Sequence, residues 1–444
     1  MFVELFVTDQ LQFKLSFSKF NFENSFTFGS GLHVIYGESG RGKSALINQI
    51  LGFEKNHENF ELSNINRPDE VQKVFQNPDT QIVSSTLDGE LAFSLECRSN
   101  DQASLSKKLK NIREYVFFKM DGNRHPATLS GGEKEMLNII TAFSVDPKLI
   151  LIDDGLSFLN TNKKQEMIHY IQDRIEISNC IVLWLTSDCN DLQFGKTQWE
   201  LTLSSMHEWK NQINPLEKIV HHKKTNYINL KCKEMTFTYN GNRNLFKGFN
   251  LQIDNFRSLG ITGSNGSGKT TLAKLLLDIE KPESGSISLT QNDEKASITY
   301  LEQFPEKMIG AESLADFVER LVSVGKLDKH KISYGINNLK SCQLEWAQIK
   351  EKTALDLPWS TLRLVLTIWL INCKYDLLIL GEPTFGLGRE QVLTLIRQLH
   401  LYLNNKYLII ISHDTEFIYT FCDRVYDLDQ NTINTEKKNS ITNG

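Results

Sequence analysis

One phosphate-binding motif occurs twice in this chain of 444 residues. Gly37–Ser44 reads GESGRGKS and Gly263–Thr270 reads GSNGSGKT, and both fit the pattern G-x-x-x-x-G-K-[ST]. The motif lysines, Lys43 and Lys269, lie 226 residues apart. An internal repeat constrains the fold more than any local pattern does, because the same domain is then expected to form twice.

Three further landmarks follow each lysine at matching distances. A glutamine lies 33 or 34 residues after it, an acidic residue ends an apolar strand pattern 111 or 113 residues after it, and a polar pair ends the next apolar strand. The landmarks are Gln76, Asp154 and Ser187–Asp188 in the first half, and Gln303, Glu382 and His413–Asp414 in the second. This agreement argues against a chance match, so the sequence predicts two copies of one domain.

The apolar patterns within each half predict an α/β fold. Alternating apolar residues at the start of each half predict antiparallel strands with one buried face. They are Phe13, Leu15 and Phe17, then Met235, Phe237 and Tyr239. Leu32–Tyr36 and Ser258–Ile261 are apolar strands that each feed a glycine loop and then a helix. Later runs, such as Leu149–Asp153 and Leu377–Leu380, are continuous, as in a parallel sheet that is covered on both faces.

The boundary between the halves is expected near residues 205–228. We place the first domain at residues 1–205 and the second at 229–430, with a linker at 206–228 and a polar tail at 431–444. Met206–Leu216 is predicted to form a short helix, and His221–Asn226 is polar without periodicity.

Charge and cysteine usage exclude several classes of protein. The 49 Lys and Arg residues against 54 Asp and Glu residues, a net charge of −5, argue against non-specific nucleic-acid binding. The seven cysteines form no Cys-x-x-Cys pair, so neither a zinc knuckle nor a disulfide framework is expected. The apolar runs are well short of the roughly 18–20 residues that span a bilayer, and Met1–Val7 lacks the basic start of a secretory signal. We expect a cytosolic chain unless a partner holds it at a membrane.

The two glycine loops predict binding of ATP and Mg²⁺. A glycine loop between a strand and a helix directs backbone N–H groups into one concavity, and the helix dipole adds positive charge. The lysine would reach the β- and γ-phosphates, while Ser44 or Thr270 would ligate Mg²⁺. The candidate ATP-binding residues of the loops are Gly37, Glu38, Ser39, Gly40, Arg41, Gly42, Lys43, Ser44, Gly263, Ser264, Asn265, Gly266, Ser267, Gly268, Lys269, Thr270 and Thr271.

A second candidate phosphate site is the segment Leu129–Glu133, which reads LSGGE and precedes a predicted helix, Lys134–Phe143. Ser-Gly-Gly before a helix is by itself typical of a plain N-cap turn. Here it lies 23 residues before Asp153 and after a glycine loop and a glutamine, which makes it more specific. Ser130, Gly131 and Gly132 are therefore candidate ATP-binding residues.

The order of these motifs resembles that of the ATP-binding-cassette (ABC) ATPases over almost the whole chain. Val74–Glu96, which reads VFQNPDTQIVSSTLDGELAFSLE, is similar to the ATPase subunits of energy-coupling-factor (ECF) importers of vitamins and metals. The resemblance implies two P-loop NTPase domains, each with a mostly parallel core sheet, an antiparallel β side sheet and a helical subdomain. It also implies that each ATP lies between the phosphate loop of one half and the LSGG signature of the other.

The resemblance assigns roles to the residues of one composite site, formed by the second-half loop and the first-half signature. Glu382 would polarise the attacking water, His413 would contact the γ-phosphate, and Gln303 would complete the catalytic set. Tyr239 would stack on adenine. The aspartate that the family places before the glutamate is replaced by Gly381, so this site is expected to be impaired but active.

The opposite site departs further from the family pattern. Gln76, Asp153 and Asp154 would still take part in binding ATP, but Asp154 is one methylene shorter than glutamate and Ser187 replaces the histidine. The facing signature would be Pro358–Thr361, where proline lacks an N–H and Trp359 would crowd a phosphate. We expect slow hydrolysis there at most. The candidate Mg²⁺ ligands, direct or through water, are Ser44, Gln76, Asp153, Thr270 and Gln303.

The resemblance implies an ATP-hydrolysing motor subunit at the cytoplasmic face of a membrane, with an integral membrane transport subunit and a separate substrate-binding membrane subunit as partners. No nucleic-acid partner is expected, and an internal pseudo-dimer requires no homodimer. Asn77–Phe93 and Phe304–Phe317 are candidate contacts for the transport subunit. The alternatives are a ribosome-associated or translation factor, an exporter motor, and an ATP-binding scaffold with little hydrolysis.

Overall fold

The computed structural model describes residues 9–55, 57–97, 102–114, 121–159, 161–210, 216, 218–219, 228–239, 243–264, 266–403 and 406–434. The chain divides into two compact units. The first comprises Met1–Ile213 with Gly386–Arg389, and the second comprises Asn214–Phe385 with Glu390–Gly444. Each unit has sheets and a core of its own.

The first unit alternates strands and helices in the order of an α/β fold. Its strands are β1 Leu11–Phe17, β2 Phe22–Phe28, β3 Gly31–Tyr36, β4 Glu61–Asn66, β5 Val71–Val74, β6 Leu149–Asp153, β7 Ile181–Thr186, β8 Thr197–Leu201 and β9 Met206–Glu208. Its α-helices are α1 Lys43–Leu51, α2 Leu87–Glu96, α3 Gln102–Glu114, α4 Gly131–Phe143 and α5 Thr161–Ser178.

Two sheets organise the first unit. The core sheet has the order β5-β6-β7-β3-β8-β9, parallel except at β9, and the side sheet β2-β1-β4 is antiparallel. In β6, Leu149 and Leu151 face the side sheet and α1, whereas Ile150 and Ile152 face α4 and α5. The apolar run is continuous because both faces of the core sheet are covered.

The second unit repeats this plan. Its strands are β10 Ile228–Tyr239, β11 Arg243–Ile253, β12 Ser258–Thr262, β13 Ser284–Gln291, β14 Glu294–Lys295, β15 Ile298–Leu301, β16 Leu377–Gly381, β17 Tyr407–Ile411, β18 Arg424–Asp427 and β19 Thr432–Asn434. Its α-helices are α6 Lys269–Leu276, α7 Glu306–Ile309, α8 Leu314–Ser323, α9 Lys331–Ser341, α10 Trp346–Ile349, α11 Trp359–Ile371, α12 Arg389–Tyr402 and α13 Thr415–Phe421.

The two units share one sheet topology. The second core sheet has the order β15-β16-β17-β12-β18-β19, parallel except at β19, and its antiparallel side sheet is β11-β10-β13-β14. β12 feeds the second glycine loop and α6, as β3 feeds the first loop and α1. The prediction of an α/β fold with mostly parallel core sheets, antiparallel side sheets and helical segments is confirmed.

The predicted helix at 206–216 is wrong at its start. Met206–Glu208 form β9, which pairs antiparallel with β8, and Met206 is buried opposite Leu201. Burial of this one methionine against the sheet edge outweighs the weak helical pattern. Within the predicted linker and tail, residues 211–215, 217, 220–227 and 435–444 lie outside the described residues. No helix in the described part of the chain is long and apolar enough to span a membrane.

Candidate functional site

The first glycine loop connects β3 to α1. Gly42 precedes the helix with φ +91°, a left-handed conformation that glycine adopts without strain. A Cβ at Gly42 would approach the Phe60 ring to 2.6 Å. The Lys43 ammonium is buried and donates to the carbonyl of Gly37 at 2.8 Å. This lysine therefore folds back over the loop, and a bound phosphate would offer it a charged acceptor in place of a neutral one.

The second loop has the same construction between β12 and α6. Gly268 precedes the helix with φ +106°, and Lys269 donates to the carbonyls of Gly263 at 2.7 Å and Ser264 at 3.0 Å. Burial lowers the pKa of Lys269, while the negative charge of Glu382 opposes that shift. Asn265, a candidate of this loop, lies outside the described residues.

At the first loop, a hydroxyl and a carboxylate meet where a metal–phosphate complex would need them. Ser44 Oγ donates to Asp153 Oδ1 at 3.0 Å, and the Lys73 ammonium lies 4.0 Å from Asp153 Oδ2. Burial raises the pKa of Asp153, and the neighbouring charge of Asp154 adds to that shift. A buried carboxylate beside a hydroxyl is an all-oxygen donor set that gains from a hard cation such as Mg²⁺, so these residues fit the metal.

Asp154 is held by its own unit. Its Oδ1 accepts from the Ser187 backbone N–H at 2.6 Å and its Oδ2 accepts from the Ser187 hydroxyl at 2.8 Å. Lys43 donates to the same hydroxyl at 2.7 Å, and its ammonium is 3.6 Å from Asp154 Oδ2. Gln76 Nε2 is 3.4 Å from that oxygen. The structure thus joins Lys43, Asp154, Ser187 and Gln76 in one network that occupies both carboxylate oxygens.

Glu382 has a different environment at the equivalent place in the second unit. Its Oε2 accepts from the Ser412 hydroxyl at 2.7 Å, and both oxygens are within 3.2 Å of the His413 backbone N–H. The imidazole Nε2 of His413 is 3.6 Å from Glu382 Oε1. Burial lowers the pKa of His413, with Glu382 opposing the shift, so the ring is neutral at pH 7. The carboxylate is oriented, and the cation of the loop is not bonded to it.

Both acidic residues occupy a left-handed corner after their strand. Asp154 has φ +50° and Glu382 has φ +48°, and each backbone N–H bonds to the neighbouring strand, at Leu185 O and Ile411 O respectively. The corner directs the carboxylate towards a residue just after the neighbouring strand, which is Ser187 in the first unit and His413 in the second. The same local geometry therefore presents an aspartate in one unit and a glutamate in the other.

Gly381 ends β16 at the position where Asp153 ends β6 in the first unit. A Cβ at Gly381 would lie 3.1 Å from the Gln303 backbone N and 3.2 Å from the Tyr300 hydroxyl. Of the candidate Mg²⁺ donors of the second unit, the Thr270 hydroxyl and the Gln303 amide remain, whereas the position that corresponds to Asp153 carries no side chain. The second-unit residues fit Mg²⁺ less well than those of the first unit.

The two signature segments differ at the start of their helices. Ser130 caps α4 with a capping box: its hydroxyl accepts from the Glu133 N–H at 3.3 Å, and Glu133 Oε2 accepts from the Ser130 N–H at 2.8 Å. Gly131 and Gly132 follow in the first turn, so the start of this helix carries small residues. The capping box satisfies two backbone N–H groups at this helix start, and the two glycines keep it free of bulky side chains of its own.

The second signature is filled by an aromatic side chain. Pro358 precedes α11 without a side-chain cap, and the Trp359 ring packs edge-on to Phe304 at 5.7 Å and against Phe385 at 6.0 Å. Trp359 therefore contributes packing within its own unit. The loss of a serine cap and of two small residues leaves α11 without the features that suit α4 to a phosphate.

Arg363 is a candidate that the sequence patterns missed. It is 1% exposed, and its guanidinium donates to the carbonyls of Glu382 at 2.8 Å, Phe385 at 2.6 Å and Gln303 at 2.5 Å. Burial lowers its pKa to about 10. A single side chain of α11 thus fixes the backbone at Gln303 and at Glu382, which directly follows β16.

The first unit uses the opposite charge at the matching position. Glu135, five residues after Ser130 as Arg363 is five after Pro358, accepts from the backbone N–H groups of Ser157 at 3.1 Å and Phe158 at 2.9 Å. Burial raises the pKa of Glu135 to about 8. Counting from the signature in both halves would have singled out this pair, because ionisable side chains buried at one repeat position require hydrogen-bond partners.

Tyr239 lies at the end of β10 beside the second phosphate loop. Its ring is 40% exposed, packs edge-on to Phe237 at 4.9 Å, and its hydroxyl accepts from Thr271 Oγ1 at 3.4 Å. Tyr239 is thus a partly exposed aromatic side chain linked to Thr271 of the loop helix.

Comparison with known proteins gives three findings. The model of the ABC transporter family matches residues 23–157 and 246–385. A Treponema denticola protein named as an ABC transporter ATP-binding protein is 25% identical over 92% of this chain and 92% of its own length. The energy-coupling factor transporter ATP-binding protein EcfA1 of Streptococcus thermophilus is 31% identical over 28% of this chain and 45% of its own length.

A chain of the solved structure "Model of ribosome-bound archaeal Pelota and ABCE1" matches with a TM-score of 0.65 and 17% identity, over 92% of this chain and 79% of that chain. At that identity the likeness shows a shared fold alone.

Proposed function

Because this chain belongs to the ABC transporter family, we propose that it is the motor subunit of an ECF-type membrane importer. Both halves match the family model, and the chain is an ATPase of that family. The ECF assignment is supported by the segment Val74–Glu96 and by the partial identity to EcfA1.

We place hydrolysis in a composite site made of the second-unit phosphate loop and the first-unit signature. Lys269 and the loop amides bind the β- and γ-phosphates, and Ser130–Gly132 supply the second helix start. Tyr239 stacks on the adenine. This pairing is supported by the family resemblance and by the contrast between the capped α4 and the proline-initiated α11.

The reaction at this site depends on positioning rather than on covalent chemistry. Glu382 accepts a hydrogen bond from the attacking water and orients it, while neutral His413 contacts the γ-phosphate. Gln303 and Thr270 would hold Mg²⁺, which when bound neutralises charge on the β- and γ-phosphates. Water attacks in line as the bond to ADP breaks, and the oriented amides and Lys269 stabilise the developing charge.

The observation that carries the asymmetry is the partner set of the two strand-end carboxylates. Both carboxylates accept from a serine hydroxyl and a backbone N–H, but Asp154 also lies 3.6 Å from the Lys43 ammonium, whereas Glu382 has the His413 ring at 3.6 Å. A carboxylate that is one methylene shorter and neutralised by its own lysine is poorly placed to polarise water. We therefore propose that the first-unit loop holds ATP and hydrolyses it slowly at most.

The partners we propose are an integral membrane transport subunit and a separate membrane subunit that binds the substrate. The chain would act at the cytoplasmic face of the membrane, and its two halves would serve as an internal pseudo-dimer. The segments 77–93 and 304–317 are the proposed contacts, and exposed Val83 and Phe93 in the first suit an apolar helix of the transport subunit.

Fractionation of cells that carry the tagged chain at its native level tests the function. We expect the chain in the membrane fraction with an integral membrane protein, resistant to Mg²⁺ chelation that dissociates ribosomes, and we expect that protein to stimulate its ATPase activity. The matched variant Lys269→Ala should show the same location with little ATPase activity. Co-sedimentation with ribosomes and absence from membranes would favour the translation-factor alternative, and a membrane complex without ATPase activity would favour the scaffold.

A further inference from the structure

Two side chains lie at the same place in the two core sheets but differ in chemistry. In the first unit, Lys73 on β5 pairs in register with Leu151 on β6. In the second, Tyr300 on β15 pairs in register with Ile379 on β16. Each partner lies two residues before the end of its strand, so each of these side chains shares a sheet face with the strand-end residue. Lys73 and Tyr300 are therefore structural counterparts.

In the first unit, this side chain supports the carboxylate of the phosphate site. The Lys73 ammonium lies 4.0 Å from Asp153 Oδ2, while Asp153 Oδ1 accepts from Ser44 Oγ at 3.0 Å. Lys73 is thus linked through one carboxylate to the serine that would ligate Mg²⁺. The Lys73 ammonium also donates to Asn48 Oδ1 at 3.0 Å, which fixes its position, so the buried Asp153 carboxylate has a cation beside it.

In the second unit, both members of the pair have changed. The aspartate position is Gly381, and the lysine position is Tyr300, which is 8% exposed. A Cβ at Gly381 would lie 3.2 Å from the Tyr300 hydroxyl, so a carboxylate one bond further on would compete with that hydroxyl for the same space. The tyrosine hydroxyl therefore lies beside the position from which a carboxylate at residue 381 would extend.

We propose that Tyr300 is a positioning residue whose hydroxyl takes the place of the missing carboxylate at residue 381 and holds a water of the nucleotide-bound Mg²⁺. The inference rests on the proposed function of the second-unit loop. A phenol oxygen accepts a hydrogen bond from such a water and donates one in turn. Being neutral, it holds the water more weakly than a carboxylate does, so this site retains its metal at reduced affinity.

Equilibrium nucleotide binding to the full chain tests the proposal without reliance on turnover. All proteins carry Lys43→Ala, so that the first-unit loop is silent. The affinity for ATP is first measured in EDTA. Mg²⁺ is then titrated in, to find the concentration at which half of the Mg²⁺-dependent increase in ATP affinity is reached. Loss of a partner in the outer shell of a metal costs about 10–100-fold, so Tyr300→Phe should raise that concentration by about 10-fold or more and leave the affinity in EDTA within twofold.

Tyr407→Phe is the matched control. Tyr407 is buried at the start of β17, the end of the same sheet that lies opposite the phosphate loop, so its hydroxyl should not affect the Mg²⁺ titration. An unchanged titration in Tyr300→Phe would overturn the proposal. Equal losses with and without Mg²⁺ would also overturn it, since they would assign Tyr300 a structural role only.

A double exchange transplants the first-unit pair into the second unit. Gly381→Asp alone should bring no gain in Mg²⁺ affinity, because the new side chain meets the Tyr300 hydroxyl and the Gln303 backbone N. Tyr300→Lys with Gly381→Asp recreates the Lys73–Asp153 pair and should lower the half-saturating Mg²⁺ about 10-fold below the parent value. If the two changes acted additively on the half-saturating Mg²⁺ concentration, the Tyr300 hydroxyl and a carboxylate at residue 381 would not compete for one space. Failure of the proposed function would show earlier, as a parent protein whose second-unit loop does not bind ATP.

Discussion

Two isosteric carboxylate-to-amide variants, Asp154→Asn and Glu382→Gln, should give opposite results in two assays. Each change removes one charge from the same corner of the fold, with φ near +50° in both units. The shapes of the side chains are kept, so differences between the variants report the partners of each carboxylate. This makes each variant the matched control of the other.

The expected effect on turnover is large for one variant and small for the other. General base catalysis contributes typically about 10²–10⁴-fold, so Glu382→Gln should lower the ATPase rate by at least about 100-fold if Glu382 orients the water. Asp154→Asn should reduce the rate by less than about threefold, because its carboxylate is already bonded to Ser187 and neutralised by Lys43.

The order of the two variants should be reversed for stability: Asp154→Asn should be the more destabilised protein. Asp154→Asn removes a charged acceptor from two Ser187 donors and leaves Lys43, 6% exposed, without its carboxylate at 3.6 Å. Loss of such an interaction costs about 2 kcal/mol, which lowers the Tm of a domain of this size by about 4–8 °C. Glu382→Gln also weakens two hydrogen bonds, from the Ser412 hydroxyl and the His413 N–H. However, the basic side chain within 4 Å is a histidine that burial keeps neutral, so no buried cation loses its carboxylate and the cost should be only about 1 kcal/mol.

Steady-state ATPase measurements and thermal unfolding of both purified variants check these values, with equilibrium ATP binding to confirm that Glu382→Gln still binds nucleotide. Equal ATPase losses in the two variants would refute the asymmetry between the sites. A Tm of Asp154→Asn equal to that of the parent would refute the closed network around Lys43.

Three further outcomes are expected. Lys269→Ala should abolish ATPase activity, whereas Lys43→Ala should leave more than about a tenth of it, as measured at saturating ATP; the reverse order would place the active loop in the first unit. Burial lowers the pKa of His413, with the charge of Glu382 opposing the shift, so the unfolded chain binds a proton near pH 6.5 that the folded chain does not. The stability contributed by this group is therefore complete above pH 6.5 and is lost as the pH falls through the lower pKa of the folded state. A pH series of Tm values should show that fall, and His413→Gln should remove it. Arg363→Met should lower both Tm and kcat, with partial recovery in Arg363→Lys, because lysine keeps the charge but cannot span three carbonyls; full activity in Arg363→Met would exclude a positioning role.

Much of the fold could be predicted because its signals are local and repeated. The glycine loops, the continuous strands β6 and β16, and the capped start of α4 each follow from a few adjacent residues, and the second copy checks the first. The strand at Met206–Glu208 could not be predicted this way, since three residues acquire their conformation from the sheet edge that they join.

The candidate site also contains residues that local sequence patterns can identify and residues that they cannot. Spacing and the family resemblance together marked loop, strand-end and signature residues as candidates. Tyr300 and Arg363 were not, because their importance arises from contacts between segments that are far apart in the chain: Tyr300 with Gly381 across two strands, and Arg363 with carbonyls of Gln303 and Glu382. Trp359 was expected to crowd a phosphate, whereas its ring contributes to an aromatic cluster of its own unit.

The left-handed corner that holds Asp154 and Glu382 also bears on how the two halves diverge. Aspartate enters this backbone region more readily than glutamate, since its short side chain suits positive φ. The backbone at these two corners therefore favours the shorter acid, and Glu382 holds a conformation that Asp154 adopts at lower cost. A Glu382→Asp variant would consequently lose reach without gaining backbone strain, so a change in its ATPase rate would report side-chain length alone.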